Sequence, residues 1–401
     1  MTKKWMTLSV LLFASFSSVH AQEEQQVQKE DGYQFTTVKE LKITPVKNQN
    51  RTGTCWSFSG VGLIEAELLR TGKGEYNLSE MFIANHSYKD KADKFVRLHG
   101  KLNFAQGGSF ADVIYVFKHY GAVPADLYKG LEYGENTHVH GELSEIATAY
   151  VNAVIKNPDK KLSTAWKKGF DGVIDTYLGK LPETFTYQGK QYTPKSFGES
   201  LGLNFDDYVS LTSYTHHPFY SQFPLEIEDN WRWAQSYNLP IHELMEVFDH
   251  AINNGYTIAW GSDVSERGFT RNGIAVAADI EALESSGSDQ ARWVGLSRTE
   301  KEAEIRKMVE KPCKEIEVTQ ELRQQAYDNY QTTDDHGMLI YGIAKDQTGK
   351  KFYMVKNSWG TESKYKGLWY ASETFVAYKT MNIVLHKDAL PKAIKSKLGI
   401  K

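Results

Sequence analysis

Cys55 is one of only two cysteines in 401 residues. It stands where a short glycine-containing loop, "NQNRTGT" (48–54), runs into the apolar stretch "WSFSGVGLIEAELLRTG" (56–72). A thiol attacks a carbonyl as its thiolate, and a helix N-terminus or a neighbouring imidazolium lowers its pKa. The companions such a nucleophile needs are present. His336 lies in "TTDDHGMLIYG" (332–342), at the mouth of a strand pattern. Asn357 lies in the next one, "KFYMVKNSWG" (351–360), with the turn-like "KDQTGK" (345–350) between them. The midpoint of positions 336 and 357 falls inside that turn, so a hairpin brings the two side chains nearly opposite each other. An asparagine carbonyl there can accept the imidazole N–H and fix the ring, and Trp359 can cover that bond from water. Gln49, on the loop before Cys55, and the Cys55 backbone N–H are candidate donors to an oxyanion. The chemistry implied is acyl transfer to a thiol, with no metal and no cofactor.

The elements that must position these residues follow from periodicity. Residues 56–72 are apolar nearly all round and stop at Gly72, which predicts a mostly buried helix starting near Cys55. A second helix is predicted over 78–96 with Ser79 as its cap. A third covers 109–121, with Ser109 and Asp112 as a capping box and Gly121 as its stop. The middle, from about 122 to 250, is charged and aromatic, with helical patterns at 142–156 and 240–253. The last quarter reads as strands at 255–262, 337–345, 351–359, 367–372 and 381–386. Helices first and strands last predict an α+β fold, with a helical half facing an antiparallel β half.

Gln49-x5-Cys55-Trp56, a histidine at a strand mouth, and then Asn357-Ser358-Trp359-Gly360 together resemble the papain-type cysteine peptidases. "LSEMFIANHSYKDKADKF" (78–95), "LPETFTYQGKQYTPKSF" (181–197) and "NYQTTDDHGM" (329–338) are similar to the bleomycin hydrolase / aminopeptidase C branch. His336 and Asn357 follow Cys55 by 281 and 302 residues, against about 130–150 in ordinary papain-type enzymes. The resemblance therefore implies one peptidase domain over 35–401 with an insertion at roughly 125–330. "TGTCW" stands where papain has "CGSCW", so Thr52 replaces a disulfide cysteine, as in that branch. The resemblance further implies that Gly107 and Gly108 of "QGGS" contact the substrate backbone, and that the chain forms a homo-oligomer, a ring-like hexamer in the family. It also implies an aminopeptidase whose C-terminal arm, here "KDALPKAIKSKLGIK" (387–401), lies extended in the cleft and meets the substrate amine. A short arm that fails to reach leaves the groove open, as in an endopeptidase.

Composition bounds the rest. Lys3 and Lys4, the apolar stretch 5–16 and the small residues Val19 and Ala21 read as a secretory signal peptide over 1–21, followed by a polar leader over 22–34. Twelve apolar residues fall short of the roughly 20 that a spanning helix needs. The expectation is an exported protein, periplasmic or secreted, without a membrane span once the signal is removed. Loss of Lys3 and Lys4 takes the net charge from −3 to −5, and no basic stripe points to nucleic acid. A Cys55–Cys313 disulfide is open on cysteine count, but Cys313 reads as an ordinary free thiol. His216 and His217 read as surface residues, for want of a third metal ligand at sensible spacing. Glu65 and Glu67 read as structural. A cell-wall amidase and a catalytically silent binding protein remain as alternatives on the same scaffold.

Overall fold

The computed structural model describes residues 32–280 and 296–401. The expected signal peptide and most of the polar leader lie outside these. Among the described residues no helix is long and apolar enough to cross a membrane.

The first helices form where the apolar periodicity puts them. Helix α1 (Cys55–Arg70) is buried from Trp56 to Leu68. Helix α2 (Glu80–Arg97) starts at Ser79, whose side chain accepts from the Phe82 N–H. Helix α3 (Phe110–His119) carries the Ser109–Asp112 capping box, and Gly121 follows with φ 93°, a left-handed position that glycine takes without strain. Helices α4 (Gly141–Ile155), α5 (Ala165–Leu178) and α6 (Pro194–Ser200) complete the helical half. Their apolar faces share one core with α1–α3, centred on Phe82, Val113, Val151 and Phe170.

The other half is a mostly antiparallel sheet. Strands β9 (His336–Asp346) and β10 (Lys351–Lys356) form the predicted hairpin, pairing Lys351 with Lys345 and Lys356 with Leu339. Asn357 and Trp359, expected inside the second strand, lie just beyond its end. Strand β7 (Ile258–Ser262) pairs with β9 on one side and with β12 (Thr380–His386) on the other. Strand β11 (Leu368–Ser372) pairs with β10, and β1 (Phe35–Glu40) with β9. The 125–330 stretch is thus woven into the sheet: β7 is central, and β4 (Tyr208–Thr212) extends it beyond β12.

Strand alternation divides the sheet between two cores. Ala259 and Leu339 pack with Leu63 and Ala66 of α1. Ile258, Trp260, Met338 and Ile340 pack on the opposite side with Leu244, Val247 and Phe248 of α7 (Ile241–Asn253).

The C-terminal segment departs from the expected extended arm. Lys392–Leu398 is a helix starting after Pro391 and closed by Gly399 at φ 66°. Ile394 and Leu398, four apart and so on one face, bury into the α7 core together with Leu390. Lys397 pairs with Glu243 at 2.6 Å, and the His250 Nδ1–H donates to the Ala389 carbonyl at 2.9 Å. The end of the chain is held on α7, on the sheet face away from α1, and not along the groove. The reason is the apolar spacing of Leu390, Ile394 and Leu398, which a buried helix satisfies and an extended arm does not.

Candidate active site

Cys55 is the first residue of α1, as predicted, and both cysteines are free thiols. Burial pushes the Cys55 thiol up, to about 12; the backbone N–H groups of Gly337 and Trp56 oppose this, and the charges of Asp229 and Asp334 add to it.

His336 opens β9, paired with Ser262 at the end of β7. Its Nε2 lies 2.7 Å from Asn357 Oδ1. The same oxygen accepts the Ser358 N–H at 2.7 Å, which fixes the amide orientation. Nε2 must therefore carry the proton, leaving Nδ1 as the free basic nitrogen. Burial lowers the His336 pKa to about 4, and the Asn357 bond opposes that shift. The Trp359 ring lies 4.6 Å from that of His336, tilted by 31°.

Gln49 is buried, and both ends of its amide are engaged. Nε2 donates to the Thr52 carbonyl at 2.7 Å, and Oε1 accepts from Ser358 Oγ at 2.6 Å. One Nε2 hydrogen remains. The Gln49 N–H also donates to the Ser358 carbonyl at 2.8 Å. Ser358 thus orients both Gln49 and Asn357. Its place in Asn-Ser-Trp-Gly was visible, but no sequence signal gave it that part.

Gly107 and Gly108 reach this region. Gln106 Oε1 accepts the Gly53 N–H at 2.8 Å, and the Gln106 carbonyl accepts the Trp56 indole N–H at 3.1 Å. The side-chain space at both glycines is already filled. A Cβ at 107 would sit 2.1 Å from both carboxylate oxygens of Asp229, and one at 108 would sit 2.8 Å from the Trp56 ring. Buried Lys91 donates to the Ala105 carbonyl at 2.9 Å and to the Gly107 carbonyl.

Glu65 is spent on structure, accepting from Thr44 at 2.6 Å, Lys47 at 2.9 Å and the Leu78 N–H at 2.8 Å; Glu67 pairs with Arg70. Cys313 lies far along the chain beside Tyr33, and its thiol is raised by burial, to about 11. His216 and His217 do have a third companion. Glu226 faces both Nε2 atoms, at 3.0 and 2.9 Å, brought back by the fold from ten residues on, where no metal spacing rule looks. The three satisfy one another as hydrogen-bonded groups.

A half-buried thiol at a helix N-terminus, an asparagine-held imidazole on the facing sheet and a buried amide bonded through Ser358 define a papain-like cysteine-type peptidase. Comparison with known proteins agrees. Residues 11–286 and 314–400 match the Peptidase C1-like family, and the chain belongs to it. Aminopeptidase C of Streptococcus thermophilus is 23% identical over 411 residues, covering 92% of this chain and 85% of that protein. Mitochondrial cysteine proteinase 1 of Saccharomyces cerevisiae (strain JAY291) is 23% identical over 419 residues, covering 92% and 80%. The crystal structure of PepW from Lactobacillus rhamnosis HN001 superposes with a TM-score of 0.68 at 18% identity, covering 91% of this chain and 84% of that one; it shares the fold.

Proposed function

We propose that this peptidase is an aminopeptidase acting through Cys55, His336, Asn357 and Gln49. The observation that carries the chemistry is the 2.7 Å bond between His336 Nε2 and Asn357 Oδ1, which turns Nδ1 into the base. Cys55 Sγ attacks the scissile carbonyl carbon while its proton passes to His336 Nδ1. The oxyanion is met by the Cys55 N–H and the remaining Gln49 Nε2 hydrogen. The C–N bond breaks, the leaving amine takes the proton from His336, and a thioester remains. Water then attacks the thioester, gives a proton to His336, and releases the acid as sulfur recovers its own proton. Gly107, Gly108 and Trp359 border the peptide's path in this reading.

The preference for N-termini is supported by the aminopeptidase names of relatives. The docked C-terminal helix removes the terminal carboxylate as the amine's receptor, so the site itself must recognise that end. The test is product analysis on one peptide with a free and with an acetylated N-terminus. Stepwise release of N-terminal residues from the free peptide alone is expected; internal cleavage of both would make the enzyme an endopeptidase. A leader cut after Ala21 would export the enzyme, which N-terminal sequencing of the mature protein tests.

A further inference from the structure

Two carboxylates beside the nucleophile have no use in the fold. Asp229 lies on the segment before β6 (Gln235–Asn238), and Asp334 two residues before His336. Both line one cavity of about 490 Å³, with Tyr327, Tyr330 and Thr332. The Asp229 carboxylate lies against Gly107, next to Gln106, which bonds Gly53 and Trp56 on either side of Cys55, and Asp334 stands two residues before His336, so the cavity adjoins the reaction cleft of this peptidase. Neither makes a side-chain hydrogen bond or an ion pair among the described residues, although Asn230, Arg232, Thr333 and Asp335 beside them do.

On the Asp229 side, Asn230 accepts the Ala234 N–H at 2.9 Å and donates to the Leu225 and Ala234 carbonyls. Trp231 is buried, and Arg232 bonds Asp112 at 2.5 Å and Asp90 at 2.7 Å. On the Asp334 side, the Thr333 N–H reaches Asp263 at 3.3 Å, and Asp335 accepts the Val264 and Ser265 N–H groups at 3.2 and 3.0 Å. Lys379 bonds Gln331 and Thr332 at 2.6 and 3.1 Å. Both segments are pinned on either side of an unspent carboxylate.

We propose that Asp229 and Asp334 together receive the α-ammonium of the peptide substrate and so select free N-termini. This rests on the aminopeptidase reading of the Cys55 site. A primary ammonium brings one positive charge and three N–H donors to acceptors on two walls. Lys91 acts on Asp229 only at a distance, its ammonium being bonded to the Ala105 and Gly107 carbonyls, and Arg232 is bonded to Asp112 and Asp90. The charges facing Asp229 are Lys91, Asp112 and Glu228; those facing Asp334 are Asp229 and Asp335. Burial raises both carboxyls, Lys91 partly offsetting this at Asp229, and at Asp334 the Asp229 charge raises it further. A cation is the ligand such a site lacks. Gly107 has no side chain where the Asp229 carboxylate lies against it.

A second consequence follows. Burial raises Asp229 to about 6 and Asp334 to about 8, so in the empty cleft near neutral pH Asp229 carries the negative charge that opposes thiolate formation at Cys55 and Asp334 largely keeps its proton. A bound ammonium cancels that field, so the substrate that fits also favours its own nucleophile. An acetylated amine brings neither charge nor donors.

The test uses the full chain, with Asp229→Asn and Asp334→Asn singly and together. Three quantities are read: kcat/KM on a free-amine peptide, kcat/KM on its N-acetylated form, and the rate of Cys55 alkylation by iodoacetamide. The expected result is a loss of about tenfold or more on the free-amine peptide, a gain on the acetylated peptide, and faster alkylation. An unfolded chain would also alkylate faster, because its Cys55 loses the burial that raises the thiol, so each variant must first keep the wild-type melting temperature. A wild type indifferent to acetylation overturns the aminopeptidase reading itself. A wild type that rejects acetylated peptide while the double variant still rejects it equally overturns only the role of the two aspartates. So does a loss of activity on both peptides after EDTA treatment, which would assign the pair to a divalent cation.

Discussion

Replacing Ser358 by alanine removes one atom, Oγ, and with it the 2.6 Å bond to Gln49 Oε1. The Ser358 backbone bonds to Asn357 Oδ1 and the Gln49 N–H stay, so His336 keeps its orientation. A neutral bond of this kind is worth about 1 kcal/mol net, and a buried acceptor left alone costs roughly 1–3 kcal/mol. Gln49 avoids that cost only by turning, which takes Nε2 off the Thr52 carbonyl that orients it. Complete loss of one oxyanion donor lowers kcat about 10²–10³-fold. Ser358→Ala should therefore cost on the order of 10-fold in kcat, with KM little changed. The decisive arm is Ser358→Ala in a Gln49→Ala background. If Ser358 acts through Gln49, it costs nothing further there, since the losses are those of one unit. Steady-state kinetics on active-site-titrated enzyme reads this. Losses that multiply in the double variant, or that fall on KM, would refute the reasoning.

His336 is held neutral by burial, with a pKa of about 4 against about 6.5 when unfolded. Between these values only the unfolded chain takes the proton, so stability is present above about pH 6.5 and lost as pH falls towards 4. The loss is on the order of 3 kcal/mol, and urea denaturation across that range should show a flatter pH slope for His336→Phe; identical slopes would place the pH sensitivity elsewhere. A variant ending at Pro391 loses the buried Ile394 and Leu398, each worth about 1.5–3 kcal/mol, so its melting temperature should drop while its discrimination between free and acetylated peptides is kept. Relaxed discrimination at unchanged stability would restore the arm model.

Much of the site was legible because its residues sit where periodicity changes. Cys55 marks the start of a helix that is apolar on every side, and His336 and Asn357 bracket a turn whose midpoint sequence arithmetic finds. Ser79, Ser109 and Asp112 announced their caps by local rules. What was not legible depends on contacts far apart in sequence. β7, at the centre of the sheet, is 74 residues before its partner β9 in chain order, counted from His336 back to Ser262, and no local pattern gives that pairing. Asp229 and Asp334 meet only through the fold, as do His217 and Glu226. The family resemblance implies an extended arm for the tail, whereas its own apolar spacing specifies a helix.

Covalent trapping tests the central claim most directly. An epoxide-type thiol inhibitor is added to the enzyme, to Cys55→Ala and to His336→Ala, and the adduct is located by peptide mass spectrometry alongside residual peptidase activity. The account predicts one adduct, on Cys55, forming in step with complete loss of activity, much slower in His336→Ala and absent from an inactive Cys55→Ala. An adduct on Cys313 that tracks inactivation, or peptide hydrolysis persisting in folded Cys55→Ala, would contradict it.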